Sequence, residues 1–147
     1  MKKILVALSI AFLCAFVLAS AEERGNLSAD LAQINLIDLA QQIGVGTNDG
    51  LNVTQVASGK NASVNLVLGP PGFILKMHYH KYRDEIVYCI KGQAVMNLSG
   101  KESEMKAGDL IYIPASVLHG SEVTGNETLQ IISIFVPPFD GKDRIYV

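Results

Sequence analysis

Short runs of apolar and β-branched residues, each closed by a turn-forming cluster, constrain the fold of this chain more than any other feature. The turn Ser58-Gly59-Lys60-Asn61 separates the first two runs, and Gly, Pro, Asn, Ser or Lys clusters bound the others. No long helical pattern lies between them, which predicts an all-β sandwich or barrel closed by antiparallel pairing. The predicted strands cover residues 52–57, 63–68, 73–80, 85–90, 93–98, 110–113 and 128–136.

One short helix is predicted ahead of these strands, over residues 36–43. Asn35 is a suitable N-cap, Asp38 stands in the first turn, and Gly44 is a typical stop. The apolar positions follow the i, i+3, i+4, i+7 pattern of a helix that packs on one face. We therefore expect this helix to lid or buttress the β-domain. Its apolar residues are Leu36, Leu39, Ala40 and Ile43.

The N-terminus has the three parts of a secretory signal peptide. Met1-Lys2-Lys3 is basic, residues 4–18 are apolar, and Ala19-Ser20-Ala21 supplies a small-residue exit before two glutamates. The apolar run is short for a membrane span of about 20 residues, although an uncleaved anchor is the alternative. We predict a signal peptide at 1–21, an N-terminal arm with the short helix at 22–48, and a β-barrel domain at 49–147, exported to the periplasm or secreted.

Net charge limits the partners that the mature chain can bind, and cysteine content limits its disulfides. Removing 21 residues from 147 leaves 126, enough for one domain, and losing two lysines moves the formal net charge from −2 to −4. We therefore expect no nucleic-acid partner and no membrane association after cleavage. Cys14 lies in the leader, so Cys89 has no partner for an intrachain disulfide. Glycosylation of the Asn-x-Ser/Thr sites at Asn26, Asn52, Asn61, Asn97 and Asn126 stays open.

All 3 histidines of the chain fall in one pattern. His78 and His80 are two apart on a predicted strand, so they share a face, with α-carbons about 6.6 Å apart. The polar stretch 81–84 suits a turn, which would start the returning strand at Glu85. His119 would join them from a strand distant in sequence. Three imidazoles and one carboxylate can bind one metal ion.

The spacing Gly72-x5-His78-x-His80-x4-Glu85-x6-Gly92, followed by Gly108-x5-Pro114 and His119, resembles the two motifs of the cupin superfamily. The first motif matches at every fixed position. The second has Ser116 in place of a glycine and Val123 in place of an asparagine. The resemblance implies a double-stranded β-helix (jelly-roll barrel), a metal held by His78, His80, Glu85 and His119, and a homodimer.

The ligand set admits one divalent transition metal, Fe, Mn, Ni, Cu, Zn or Co, without choosing among them. Strand alternation from His78 points Lys76 and Ile74 inward unless a bulge intervenes, and an inward Lys76 could hold an anionic substrate or extend to the barrel mouth. Alternation from Glu85 points Cys89 inward, as a small buried residue or, less simply, a reactive thiol. The strand tyrosines include potential proton donors that more often only pack.

Three functions remain compatible with the sequence, because the fold does not specify the reaction. The first is a metal-dependent enzyme of oxygenase, isomerase or lyase type acting on a small organic compound. The second is a small-ligand binding or sensing protein without turnover. The third is a structural metal that stabilises the barrel. The ligand set favours the enzyme, since a metal that prefers six ligands keeps two positions for substrate and water.

Overall fold

The computed structural model describes residues 33–45 and 50–147, which form one helix and ten strands. The predicted leader and most of the N-terminal arm lie outside these residues, so the leader and the domain boundaries stay predictions. No helix in the described ranges is long and apolar enough to cross a membrane. The elements are α1 Leu36–Ile43, β1 Asn52–Ser58, β2 Ser63–Gly69, β3 Ile74–His80, β4 Asp84–Lys91, β5 Gln93–Leu98, β6 Lys101–Lys106, β7 Leu110–Ile113, β8 His119–Thr124, β9 Leu129–Val136 and β10 Arg144–Tyr146.

The strands form two five-stranded antiparallel sheets, which confirms the predicted all-β jelly roll. One sheet has the order β1-β2-β9-β4-β7 and the other β10-β3-β8-β5-β6. Strands distant in sequence are therefore neighbours, such as β2 with β9 and β3 with β8. Apolar side chains from the inner faces of both sheets fill the space between them. The core cluster includes Val87, Cys89, Met96, Met105, Ile113 and Val123.

Helix α1 packs on the outer face of the first sheet, as the sequence predicted. The Asn35 side chain accepts hydrogen bonds from the backbone N–H groups of Ile37 and Asp38, and Gly44 ends the helix with a φ of 65°. The buried Ala40 contacts a second apolar cluster on β1, β2 and β9. The helix therefore buttresses the sheet opposite the core. That cluster contains Val56, Leu66, Leu68 and Ile132.

The sequence did not predict β6 and β10, and it did not delimit β8. Strand β6 has the sequence KESEMK and exposes all of its residues except Met105, so it carries no alternating apolar signal. Strand β10 is only 3 residues long, too short to show an alternating pattern of its own. Tertiary pairing, with β5 and with β3 respectively, holds these two edge strands in place.

A bulge in β3 corrects the predicted orientation of Lys76. Leu75 pairs with Ser121 and His78 with His119, so two residues of β3 stand opposite Gly120 alone. The bulge shifts the alternation, and Leu75 rather than Lys76 lines the interior. Lys76 and Ile74 are exposed, and their predicted inward orientation is wrong. A role for Lys76 in binding substrate stays a prediction.

Candidate metal centre

Three strands bring the four predicted ligands together at one end of the space between the sheets. His78 and His80 lie on the last part of β3, Glu85 near the start of β4, and His119 at the start of β8. His78 and His119 are direct cross-strand partners. All four residues are buried, from 1% exposed for His78 to 8% for Glu85.

The ligand atoms of this group are close enough to share one ion. One nitrogen from each of His78, His80 and His119 lies within 4.8 Å of the others. The Oε2 atom of Glu85 is 3.2 Å from Nε2 of His119 and 3.6 Å from Nε2 of His80. Two ligand atoms on one ion with bonds of about 2.0–2.2 Å lie at most about 4.4 Å apart, so the two Glu85 separations fit directly and the histidine nitrogens lie close to this limit.

Backbone carbonyls set the tautomer of every imidazole. The Nδ1 atom of His78 lies 2.8 Å from the Lys76 oxygen, that of His80 3.0 Å from the Asp143 oxygen, and that of His119 2.9 Å from the Val117 oxygen. A carbonyl can only accept a hydrogen bond, so Nδ1 carries the proton in the neutral ring. Each Nε2 atom is left with a free lone pair, which is the form that binds a metal.

Two of these Nε2 atoms are buried without a hydrogen-bond partner, those of His80 and His119. The carboxylate of Glu85 lies near both of them. Buried nitrogen atoms are rarely left unpaired, because the lost hydration costs about 1–3 kcal/mol each. A bound cation between them would satisfy these lone pairs, so the residues present fit a metal.

The protonation equilibria of the histidines also suit metal binding. Burial, reinforced by the neighbouring His119, Arg144 and His80, lowers the pKa of His78 from 6.5 to about 4. Burial also lowers the pKa of His80, although Glu85 opposes the shift. Both imidazoles are therefore neutral at neutral pH and available as ligands.

Glu85 is held as a carboxylate by its surroundings. The Ser133 hydroxyl on β9 donates a hydrogen bond to Oε1, which leaves Oε2 facing the histidines. Burial alone raises the pKa of Glu85, but the approach of His119 and the Ser133 bond outweigh it, so the net shift is downward. Ser133 was missed at the sequence level, because a serine in an apolar strand gives no sign that a carboxylate lies on the neighbouring strand.

The C-terminal segment supplies further residues that sequence reasoning missed. The rings of Phe135 and Phe139 pack against His80, with centroids 4.9 and 5.5 Å away, and stack on each other at 4.8 Å. The backbone oxygen of Asp143 accepts the hydrogen bond from His80. The buried pair of Arg83 and Asp143 was also missed, because nothing in the sequence relates two charged residues that lie 60 positions apart.

A small cavity adjoins the metal centre between the sheets. The space open to water centres is about 40 Å³, and His78, Glu85 and His119 lie in its wall. The remaining wall is mainly apolar, with Asn65, Ser121, Ser133 and Arg144 as its other polar residues. A pocket of this kind, with a few polar groups among apolar ones, is typical of a small-molecule site.

The other predicted candidates lie away from the cavity. Cys89 is 0% exposed inside the core, and burial raises the pKa of its thiol, which favours the packing role over a reactive one. Tyr88 and Tyr112 on strands and Tyr82 in the turn before β4 are exposed, and Tyr79 is half-buried; none of them is in the described wall of the cavity.

Comparison with known proteins agrees with this architecture. The family model for the cupin domain matches residues 65–135. Quercetin 2,3-dioxygenase of Bacillus subtilis is 31% identical over 56% of this chain and 25% of that protein. An oxalate-binding protein of Thermotoga maritima is 33% identical over 46% of this chain and 55% of that protein. The chain thus spans about a quarter of the length of the first relative and about half the length of the second.

A solved structure shares the fold at lower identity. A protein from Klebsiella pneumoniae with a double-stranded β-helix domain matches with a TM-score of 0.63 and 20% identity, covering 81% of this chain and 88% of that one. This likeness supports the double-stranded β-helix fold.

Proposed function

Because the chain belongs to the cupin superfamily, we propose that it binds one divalent transition metal through His78, His80, Glu85 and His119 and acts with it on a small organic compound. The observation that carries this proposal is the convergence of three imidazoles whose Nδ1 atoms are already hydrogen-bonded to carbonyls. No hydrogen bond among the described residues uses their Nε2 lone pairs. A buried carboxylate beside them completes the set.

The metal, when bound, supplies Lewis-acid or oxygen-activating chemistry. The chain itself provides orientation and water exclusion. Ser133 holds Glu85 in its ionised form, while Phe135 and Phe139 cover His80 and keep solvent from it. The cavity beside His78 and His119 offers room for a small ligand next to the metal. These features support an oxygenase, isomerase or lyase.

A non-catalytic binding protein is the second candidate. The observation that favours it is the polar content of the described cavity wall, which beyond the metal ligands holds one amide, two hydroxyls and one guanidinium but no further imidazole or carboxylate. An acid or base for proton transfer would then have to come from Glu85 or from the ligand. One of the relatives similar in sequence is named as a binding protein, the oxalate-binding protein of Thermotoga maritima.

The metal assignment is tested by ligand replacement. Alanine at His78, His80, Glu85 or His119 leaves three ligands, and metal affinity should fall at least about tenfold. The matched control for Glu85→Ala is Glu122→Ala, which removes an exposed carboxylate from β8 and should leave the affinity unchanged. Metal content by mass spectrometry and titration with Mn²⁺ and Zn²⁺ are the measurements. Wild-type affinity in all four variants would show that the site is misassigned.

Turnover and binding are separated on the metal-loaded protein. An oxygen electrode and product analysis with small phenols and carboxylic acids should detect reaction if the protein is an enzyme. Saturable binding without oxygen uptake or product would favour the second candidate. The same assay on Glu85→Ala shows whether any turnover depends on the site.

The proposal also includes export of the chain from the cytoplasm. We infer that the leader directs the chain out of the cytoplasm, supported by its basic start, apolar run and small-residue exit. The intact mass of protein recovered from the periplasm or medium should correspond to a chain that begins at Glu22. Recovery of the full-length chain in a membrane fraction would contradict cleavage.

A further inference from the structure

Strand β10 places an arginine beside the metal ligands. Arg144 is the direct cross-strand partner of His80, so the two side chains leave the sheet on the same face. Arg144 lines the same cavity as His78, Glu85 and His119. No part of the sequence pattern that identified the ligands includes this residue.

The guanidinium of Arg144 is incompletely satisfied. Its Nε atom is buried without a hydrogen-bond partner, and no described carboxylate forms an ion pair with it. Its one described partner is the ring of Phe139, whose centroid lies 5.8 Å from the guanidinium carbon. Arg83, in contact with the same ring, is paired with Asp143 at 2.7 Å and Asp140 at 3.4 Å. The fold thus pairs one arginine fully and leaves the other facing the cavity.

The charges around the cavity favour an anion. Glu85 is the one carboxylate in the described wall, and a divalent metal would take up its charge. The metal, Glu85 and Arg144 together then carry two positive charges in a mainly apolar enclosure. An isolated charge in such surroundings is costly unless it is paired. A ligand with negative charge would provide that pairing.

We propose that Arg144 is the anion-binding residue of this site and receives a carboxylate or similar planar oxyanion of the ligand. The inference rests on the proposed function, because the rest of the ligand would face the metal residues. A planar guanidinium donates two parallel hydrogen bonds to a carboxylate, which a lysine cannot do. The cavity of about 40 Å³ corresponds to about three water molecules at roughly 10–15 Å³ each. The site therefore fits a small organic acid of a few non-hydrogen atoms.

The probes are oxalate, oxamate and oxamide, which have nearly the same shape and carry two, one and no negative charges. They are titrated calorimetrically into Mn²⁺-loaded protein and into chelator-treated protein. Wild type should bind oxalate tightest and oxamide weakest. Arg144→Gln should bind oxalate at least about tenfold more weakly with unchanged Mn²⁺ content, and Arg144→Lys should fall between them. Lys142→Gln, which removes an exposed charge from the same segment, should match wild type.

Each outcome decides between the two proposals. Equal oxalate affinity in wild type and folded Arg144→Gln at equal Mn²⁺ content would overturn the role of Arg144 and leave the metal site intact. If wild type binds no metal, the proposed function fails, and the chelator-treated titration then decides whether Arg144 still binds the anion. Absence of a preference for oxalate over oxamide in both forms would overturn the inference. Thermal unfolding of each variant shows whether it is folded.

Discussion

At the residue scale, the backbone orients the metal centre more than the side chains do. Each imidazole is hydrogen-bonded through Nδ1 to a backbone carbonyl oxygen. For His78 and His119, this oxygen belongs to the residue two positions earlier in the chain. His80 differs, because its carbonyl comes from Asp143, which is 63 residues away. The lone pairs are therefore aimed before any metal arrives, which reduces the entropy lost on binding.

The lowered pKa of His78 predicts a pH dependence for the metal-free protein. The unfolded state takes up a proton near pH 6.5, whereas the folded state does so only near pH 4. Between these values the unfolded state binds more protons, so the free energy of unfolding falls as pH is lowered, by up to about 1.4 kcal/mol per pH unit. The downward shift of His80 acts in the same direction.

Urea unfolding of chelator-treated protein at pH 7 and pH 5 measures this dependence. The free energy of unfolding should depend less on pH in His78→Asn, because asparagine cannot titrate. Because Glu85 titrates below its usual range, it contributes little in this window. A metal-free wild type equally stable at both pH values would contradict the prediction.

Ser116 predicts a stabilising substitution. It stands where the second cupin motif has a glycine, and its φ is 66°, in the left-handed region that costs a side-chain-bearing residue about 1–2 kcal/mol. Glycine avoids this cost but loses about 0.5–1 kcal/mol through its more flexible unfolded chain. Ser116→Gly also loses the hydrogen bond from Ser116 Oγ to the Lys81 backbone oxygen at 3.4 Å, so it should raise the free energy of unfolding by up to about 1 kcal/mol in denaturant titrations. Ser116→Ala keeps the strain and should give no increase.

At the element scale, the last strand secures the turn that separates the ligands. The carboxylate of Asp143, just before β10, accepts hydrogen bonds from the backbone N–H of Lys81 at 3.1 Å and of Tyr82 at 3.2 Å. It also pairs with the buried Arg83 at 2.7 Å. This turn joins His80 at the end of β3 to Glu85 on β4. A three-residue edge strand and its preceding aspartate thus fix the relative positions of two ligands.

Removing the Asp143 carboxylate should damage both stability and metal binding. Asp143→Ala leaves Arg83 buried and unpaired by its main partner, with an expected loss of about 3–5 kcal/mol in the free energy of unfolding. The loosened turn should also weaken metal affinity. Asp140→Ala removes the exposed partner of Arg83 and should cost much less stability than Asp143→Ala, because solvent screens that ion pair. Denaturant and metal titrations measure both effects, and equal results for the two variants would contradict the assignment.

At the scale of the whole molecule, the candidate metal ligands come from both sheets. Glu85 belongs to the first sheet, while the three histidines belong to the second. An ion bound by all four would join the sheets at one end of the barrel. Cys89 is the one cysteine among the described residues and is free, so no disulfide joins the sheets there, and such an ion would supply the cross-link.

Chelation should therefore lower the melting temperature of the wild type. A metal present at 100 times its Kd contributes about 2.7 kcal/mol if it binds only the folded state. His119→Ala should melt below the metal-loaded wild type and show little further change on chelation. Differential scanning calorimetry with and without EDTA is the measurement. An unchanged wild-type melting temperature would indicate that the metal does not bridge the sheets.

We also propose that the protein is a homodimer, as its resemblance to small cupins suggests. An exposed apolar group on β4 and β7 provides one surface for association. It consists of Tyr88, Leu110 and Tyr112, with Tyr88 and Leu110 paired across the strands. Light scattering at micromolar concentration should give twice the chain mass, and Leu110→Asp should reduce it. A monomer for the wild type would contradict the proposal.

The amino-acid sequence determined the fold class, the helix and the candidate ligands by itself. Each depends on local spacing: turn residues between short apolar runs, an Asn cap with a Gly stop, and two histidines on one face of a strand. Gly92 is a further case, because its φ of 83° and a Cβ position 2.9 Å from the Leu129 α-carbon admit no side chain. Such requirements are expressed in single residues and short motifs.

Only the tertiary structure decided the surroundings of those ligands. The bulge that turns Lys76 outward arises from the pairing of β3 with β8. Ser133, Asp143 and Arg144 reach the site because β9 lies beside β4 and the C-terminus returns to pair with β3. These contacts join residues about 50 or more positions apart in the chain. The order of the strands in the sheets determines these contacts, and no local spacing in the sequence encodes that order.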